Sequence, residues 1–135
     1  LGFAQMKKLS RILLRRRLLA KGYEKGLSDI KALETPFTPE YASPNYQSYI
    51  VKLSGANRGL RDKVVRELAA LGISAKEGIT AINKEPYYRR LLGDIKLPVT
   101  EMANRSTLML PIYPSLSQAE QESIINSVRK ICKRY

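Results

Sequence analysis

The chain has 135 residues, and its 24 lysines and arginines against 12 aspartates and glutamates give a formal charge of +12. This length is typical of one domain or of a domain with an appendage, and the basic excess favours anionic partners. There is no histidine and only one cysteine, which excludes an internal disulfide and catalysis by a serine–histidine or cysteine–histidine pair of this chain, and makes a zinc site unfavourable.

The first predicted element is one long helix over residues 3–30. Gly22 and Gly26 lower the helix propensity of its last turns. Its apolar residues recur at intervals of three, four and seven: Met6, Leu9, Leu13, Ala20, Tyr23 and Leu27, with Ile12 and Leu19 widening the stripe. The chain begins without a methionine, inside this predicted helix, and we therefore expect it to be part of a longer protein.

The next residues predict a loop and then a strand–helix–strand unit. Prolines interrupt regular structure after the first helix, at Pro36, Pro39 and Pro44. Aromatic and β-branched residues favour a strand over 46–53, and a break over 53–59 follows it. A second helix ends before Gly72 and has the apolar stripe Leu60, Val64, Leu68 and Leu71. A short strand is predicted within 73–77.

The last third of the chain predicts two short helices, a third strand and a final helix. Pro86 and Pro98 stand where prolines begin helices, so we place helices over 87–92 and 97–106. Residues 107–114 favour a strand, and Ser117 with Glu120 forms a capping box that begins the final helix. The predicted fold class is α+β: a long N-terminal helix followed by a small domain of about three strands covered by helices.

Basic residues are concentrated on the first helix and at the end of the last. Those on the first helix are Lys7, Lys8, Arg11, Arg15, Arg16, Arg17, Lys21 and Lys25. A nucleic-acid interface, a solvated face and a face covered by a partner domain all explain them. Because no nucleic-acid-binding motif accompanies them, we favour the last two and expect no specific nucleic-acid binding. A small basic module that binds nucleic acid or acidic proteins is kept as the alternative.

Four blocks of sequence carry a resemblance to a known family. They are residues 1–23 (LGFAQMKKLSRILLRRRLLAKGY), 45–53 (NYQSYIVKL), 72–91 (GISAKEGITAINKEPYYRRL) and 97–128, which includes LMLPIYPSLSQAEQ. In their order and spacing they resemble the C-terminal part of the DegT/DnrJ/StrS sugar aminotransferases. The resemblance covers nearly the whole chain.

The resemblance implies the fold of aspartate aminotransferase, in which a large domain holds pyridoxal phosphate (PLP) and a small domain ends the chain. Residues 1–34 would be a connecting helix and 35–135 the small domain, with the large domain and its Schiff-base lysine upstream of Leu1. The full-length protein would move an amino group from a donor, usually glutamate, to a keto sugar on a nucleotide. It would be a homo-oligomer, typically a homodimer.

For this chain alone the resemblance implies no catalytic, cofactor-binding or metal-binding residue, and we expect the isolated chain to be inactive and to bind no PLP. A regulatory or scaffolding remnant that pairs with a full-length relative is a third possibility. The lone cysteine suits a reducing compartment, and no apolar run is long enough to span a membrane, so we expect a cytoplasmic protein.

The polar run between residues 72 and 90 is the expected site, since the resemblance places it at the mouth through which the sugar nucleotide enters. Lys76 keeps one charge of a basic pair found in many relatives, whereas Glu77 reverses the other. Asn83 stands where many relatives have a histidine, and it can form hydrogen bonds without titrating near neutral pH. We predict Lys76, Asn83 and Tyr87 as substrate-binding residues. The structural alternative is that Glu77 and Lys84 are merely solvated.

Overall fold

The computed structural model describes residues 2–55 and 58–135. Its elements in chain order are α1 (Gly2–Met6), α2 (Leu9–Leu27), β1 (Leu33–Glu34), β2 (Tyr49–Leu53), α3 (Arg58–Ala70), β3 (Lys76–Glu77), a 3-10 turn (Ile82–Lys84), α4 (Pro86–Leu92), α5 (Pro98–Ser106), β4 (Thr107–Leu110) and α6 (Gln118–Cys132). The predicted α+β class is confirmed. Leu1, where the predicted connecting helix begins, and positions 56 and 57 of the predicted break lie outside the described residues.

The described strands form one antiparallel sheet in the order β1-β2-β4-β3. In its centre, Tyr49 of β2 lies opposite Leu110 of β4. Alternate residues of β2 are buried, as the pleat of a strand with one covered face requires. About three strands were predicted, and the described sheet has β1 in addition, because Leu33 pairs with Leu53 of β2. A strand of two residues is too short to show an alternation of apolar and polar residues. Only the pairing with β2 therefore identifies β1 as a strand.

The strands are shorter than predicted, for local reasons. Tyr46, where the first strand was expected to begin, has a φ of 46°, which is incompatible with extended backbone. The strand β4 stops before Pro111, since proline lacks the N–H that a sheet needs.

The predicted single helix over 3–30 is two helices that end earlier, at Leu27. The Lys8 N–H donates to the Gln5 carbonyl at 2.9 Å, a bond to the third residue before it, which is tighter than α-helical spacing. The apolar stripe is buried from Leu19 onward, whereas Met6 is exposed.

The core joins the sheet to three helices. Its helical members come mainly from α2 and α6, with Val64 and Leu68 from α3. The helices α2 and α6 approach so closely that a Cβ built on Gly26 would lie 2.8 Å from Ile125 Cδ1. Close packing is therefore the reason for a glycine that helix propensity alone disfavours.

The predicted capping box at the start of α6 is confirmed. The Ser117 N–H donates to Glu120 Oε2 at 2.7 Å, and the Glu120 N–H donates to Ser117 Oγ at 3.2 Å. The Ser117 hydroxyl and backbone N–H hold the pKa of the Glu120 carboxyl below its usual range. Two donors that the first turn of a helix leaves unpaired are thus satisfied reciprocally.

Candidate substrate-binding site

The edge of the sheet at β3 is held by a buried arginine of α3. Arg61 is 2% exposed, and its Nη2 lies 3.8 Å from Glu77 Oε2. Its Nε donates to Asp62 Oδ1 at 2.6 Å, and its Nη1 donates to the Thr107 carbonyl at 3.3 Å. Thr80 Oγ1 also donates to Glu77, at 3.4 Å. Glu77 therefore has a charged partner beneath the sheet edge and is not merely solvated.

The burial of Arg61 is not predicted by the sequence around it. An arginine next to an aspartate in a helix is typical of a solvated face. The signal that could have revealed it is its spacing: Arg61 precedes the buried Val64 by three residues and the buried Leu68 by seven, on the same face of α3.

Asn83 lies in the 3-10 turn and is only 6% exposed. Its Nδ2 donates to the Ile95 carbonyl at 2.8 Å and to Glu101 Oε1 at 3.0 Å. The same Glu101 oxygen accepts the Leu97 N–H at 3.2 Å and lies 3.2 Å from Lys84 Nζ. The Leu97 N–H, the Asn83 amide and Lys84 hold the pKa of the Glu101 carboxyl below its usual range. Lys84, like Glu77, is thus paired rather than merely solvated.

Tyr87 stands near the start of α4 and is 61% exposed. The Tyr88 ring meets it edge-on, with centroids 5.2 Å apart. Eight large apolar side chains between residues 82 and 102 are exposed, and we call them the apolar patch: Ile82, Tyr87, Leu91, Leu92, Ile95, Leu97, Val99 and Met102. Exposed apolar surface concentrated in one segment is typical of a binding face.

The three predicted site residues lie on two segments of the fold. Asn83 and Tyr87 belong to one continuous segment, because the 3-10 turn leads directly into α4. Lys76 is exposed on the edge strand β3, opposite Met109 of β4. No hydrogen bond or ion pair among the described residues joins Lys76 to the other two.

A groove of about 390 Å³ borders this segment and is lined by Lys84, Pro86, Arg89, Arg90 and Asp94. Its cations outnumber its single carboxylate. An anionic group of a ligand would be favoured there.

The arginine run of α2 is not a solvated face, so that part of the interpretation of the basic cluster was wrong. Arg15 donates to the Pro114 carbonyl at 3.3 Å, Arg16 Nη1 to the Tyr46 carbonyl at 2.8 Å, and Arg17 Nε to the Pro44 carbonyl at 3.5 Å. These three arginines fasten proline-containing loops onto α2. The remaining basic residues of the cluster are exposed, as predicted: Lys7, Lys8, Arg11, Lys21 and Lys25.

The described residues contain neither a cluster of metal ligands nor a helix that could span a membrane. Residues 2–55 and 58–135 contain no group of three or more histidine, cysteine, aspartate or glutamate side chains that could hold a metal ion. Among the helices of these same residues, none has the length and apolar character needed to cross a bilayer.

Comparison with known proteins decides the family. A model of the DegT/DnrJ/EryC1/StrS aminotransferase family matches residues 1–129. The chain belongs to this family. It is 33% identical to a dTDP-4-dehydro-2,3,6-trideoxy-D-glucose 4-aminotransferase of Saccharopolyspora spinosa, over all of this chain and 34% of that protein.

Solved structures agree with this assignment. The aminotransferase TlmJ of Streptoalloteichus hindustanus is 28% identical, with a TM-score of 0.88 over 98% of this chain and 35% of its own. The PLP form of Spr1654 from Streptococcus pneumoniae, 21% identical, has a TM-score of 0.92 over 98% of this chain and 34% of its own, and shows the fold. The chain therefore spans about a third of the length of the relatives that it matches.

The family uses PLP, whose covalent site needs a lysine that is held out of water in a pocket. Lys52 is half-buried, but its Nζ is paired with Glu34 at 2.9 Å, and the other lysines of the described residues are exposed. The described part of this chain does not fit that covalent site.

Proposed function

We propose that this chain is the C-terminal small domain of a longer PLP-dependent aminotransferase that aminates a keto sugar carried on a nucleotide, with glutamate as the amino donor. Two observations support this proposal: the family model matches residues 1–129, and the chain covers about a third of the length of its relatives. The division into a connecting helix, 1–34, and a small domain, 35–135, is part of this proposal. PLP, when bound in the longer protein, supplies the electron sink for amino transfer.

In this proposal the chain contributes substrate contacts rather than catalytic groups. Tyr87 and the apolar patch offer a face for a sugar or base ring, and the groove beside Lys84, Arg89 and Arg90 offers charge for a diphosphate. Lys76 adds a cation at the sheet edge. The buried Arg61, paired with the half-exposed Glu77, supports that edge.

The test uses the longer protein that contains this chain, supplied with glutamate and a nucleotide-linked 4-keto sugar. Glutamate-dependent amination of the sugar is expected. Lys76→Ala and Tyr87→Ala should raise KM for the sugar nucleotide and leave KM for glutamate unchanged. The matched control is Lys52→Ala, whose partner Glu34 lies at the opposite edge of the sheet. Equal effects of Lys76→Ala and Lys52→Ala on that KM would remove Lys76 from the site.

The isolated chain tests the second half of the proposal. Mixed with PLP and passed through gel filtration, it should retain no stoichiometric yellow adduct, because its lysines are exposed or paired. A retained adduct on one specific lysine would overturn the small-domain assignment.

We also propose that the protein is a cytoplasmic homo-oligomer. The lone cysteine supports a reducing compartment, and the exposed N-terminal part of the apolar stripe, Met6 and Leu9, supports an interface. Sedimentation equilibrium across salt concentrations should show self-association that Leu9→Asp/Leu13→Asp abolishes. A strict monomer at every salt concentration would contradict it.

The alternative, a module that binds nucleic acid or acidic proteins, is favoured by one observation, the exposed cations of α2 and of the turn before it, Lys7 and Lys8. We expect only weak, sequence-blind nucleic-acid binding that is lost at moderate salt. Sequence-selective binding at physiological salt would replace the aminotransferase proposal for this chain.

A further inference from the structure

The helix α4 has no buried residue to hold it in place. It carries Tyr87 and borders the cation-lined groove, but none of its seven residues is buried. None of them belongs to the hydrophobic core of the described residues either. Isolated helices shorter than about 12 residues are marginal in water. Contacts from elsewhere in the fold must therefore hold α4, and we call residues 83–97, which contain it, the α4 segment.

The carboxylate of Glu101 joins the two ends of the α4 segment. Before α4, Asn83 Nδ2 donates to Glu101 Oε1 at 3.0 Å, and Lys84 Nζ lies 3.2 Å from the same oxygen. Beyond α4, the Leu97 N–H donates to that oxygen at 3.2 Å. Asn83 also donates to the Ile95 carbonyl at 2.8 Å. The α4 segment is therefore a loop whose two ends meet at one side chain.

Glu101 itself belongs to an element that the sheet holds. Its helix, α5, ends at Ser106 and leads directly into the central strand β4 at Thr107. In the same helix, Asn104 Nδ2 donates to the Ile79 carbonyl, just beyond β3, at 2.6 Å. The Glu101 side chain is 23% exposed, so its hydrogen bonds are partly shielded from water. The carboxylate can thus fix the α4 segment relative to the sheet.

We propose that Glu101 is a positioning residue, which holds the α4 segment against the sheet and thereby places Tyr87, Arg89 and Arg90 for the sugar nucleotide. This inference rests on the proposed function, because it concerns the same substrate contacts. Among the described residues, those that line the groove do not include Glu101. Its effect on the substrate therefore passes through the segment that it holds.

Charge alone predicts the opposite effect, which makes the proposal testable. Glu101 pairs with Lys84, one of the cations of the groove. Removing the carboxylate would leave that cation free, so electrostatics alone would strengthen the binding of an anionic nucleotide. If Glu101 positions α4, its removal weakens that binding instead.

Three variants separate the hydrogen bonds of Glu101 from its charge. Glu101→Gln keeps the acceptor oxygen and removes the charge. Glu101→Asp keeps the charge but withdraws the oxygens by about 1.5 Å, the length of one carbon–carbon bond. Glu101→Ala removes both. The matched control is Glu85→Ala, which also removes a carboxylate beside Lys84, because Glu85 forms no side-chain capping bond and does not line the groove.

Hydrogen exchange on this chain tests the structural half of the proposal. The reporters are the N–H groups of Arg89 and Gly93, which donate to the Glu85 and Arg89 carbonyls. In Glu101→Ala and Glu101→Asp they should exchange about 30-fold faster, the effect of losing two net hydrogen bonds, while the β2–β4 ladder stays unchanged. Glu101→Gln and Glu85→Ala should change the rates by no more than about threefold. Unchanged rates in Glu101→Ala and Glu101→Asp, or an equal acceleration in the β2–β4 ladder, would overturn the proposal.

Kinetics of the longer protein test the role toward the substrate. Glu101→Ala and Glu101→Asp should raise KM for the sugar nucleotide about fivefold or more, because a smaller fraction of the protein has α4 in the binding position. The KM for glutamate, and kcat at saturating sugar nucleotide, should stay within about twofold. Glu101→Gln and Glu85→Ala should not raise the KM for the sugar nucleotide. An unchanged or lower KM in Glu101→Ala and Glu101→Asp, or an equal rise in Glu101→Gln, would overturn the positioning role.

The same measurements distinguish this inference from the proposed function. A wild-type longer protein without glutamate-dependent amination would overturn the proposed function and, with it, the role of Glu101 toward the substrate. The exchange rates would then decide only whether Glu101 holds α4. An active wild type whose KM for the sugar nucleotide does not respond to Glu101→Ala or Glu101→Asp would overturn the inference and leave the proposed function standing.

Discussion

Replacing Asp62 with alanine should destabilise the protein more than replacing the buried arginine that it contacts. The Arg61 guanidinium is charged throughout the physiological pH range and is 2% exposed, so it depends on its acceptors. A hydrogen bond to a charged group contributes about 1.5–3 kcal/mol. Because Asp62 is half-exposed, solvent weakens its hydrogen bond with Arg61. We therefore expect Asp62→Ala to lower the free energy of unfolding by about 1.5–2 kcal/mol.

Arg61→Met removes the buried charge itself. The structure indicates that this substitution lowers the free energy of unfolding less than Asp62→Ala does. Glu77 and Asp62 are half-exposed and regain water. The Thr107 carbonyl still accepts the Gly78 N–H at 3.1 Å, so it keeps a partner. The expected loss is about 1 kcal/mol, the net value of an ordinary hydrogen bond. In the Arg61→Met background, Asp62→Ala should cost almost nothing.

Urea unfolding followed by circular dichroism at pH 7 measures these free energies for the two single variants and the double variant. The matched control is Asp94→Ala, whose partner Arg89 lies 3.9 Å away with both side chains exposed. It should change the free energy of unfolding by less than about 0.5 kcal/mol. The reasoning is refuted if Asp62→Ala matches Asp94→Ala, or if Arg61→Met is the more damaging change.

Three further predictions concern α2 and α6. Gly26→Ala should lower the free energy of unfolding by roughly 0.5–2 kcal/mol, because the clash with Ile125 exceeds the gain of about 1 kcal/mol in helix propensity. A variant that is more stable in thermal unfolding would contradict this. Ser117→Ala should cost about 1 kcal/mol in urea unfolding and Ser117→Gly only a few tenths, and equal losses would argue against the capping box. Burial raises the pKa of the Cys132 thiol from 9.0 to about 11. Since the folded-state value is the higher one, the contribution of Cys132 to stability is complete below about pH 9 and declines as the pH rises toward 11. The urea midpoint should show this decline, and a Cys132→Ala variant should show a smaller one, because burial also raises the pKa values of Tyr23 and Tyr49.

The helices of the C-terminal half could be predicted because their signals are local. Pro86 and Pro98 start α4 and α5, and Ser117 with Glu120 starts α6, each within four residues of the helix that it begins. Strand β1 could not be predicted, because it exists only where Leu33 meets Leu53, twenty residues later. The tightened turn at Lys8 also carries no local signal, since both flanking segments favour a helix.

The contacts of buried polar side chains also could not be predicted from the sequence. Arg16 and Arg61 resemble solvent-facing arginines in any local window, and only the folded chain reveals the carbonyls and carboxylates that they contact. Asn83 was predicted as a binding residue because the family resemblance places the polar run 72–90 at the entrance for the sugar nucleotide. Its burial depends on Ile95 and Glu101, which lie twelve and eighteen residues further along.

The order of strands in the sheet also determines when the domain can fold. Its two central strands, β2 and β4, are about sixty residues apart in sequence, and each edge strand pairs with one of them. Bringing such distant segments together costs loop entropy before any pairing is gained, so we infer a late, cooperative rate-limiting step. During synthesis, β2 must wait for β4 to leave the ribosome. Until then its aromatic and β-branched residues are an unpaired edge, exposed to chaperones and to aggregation.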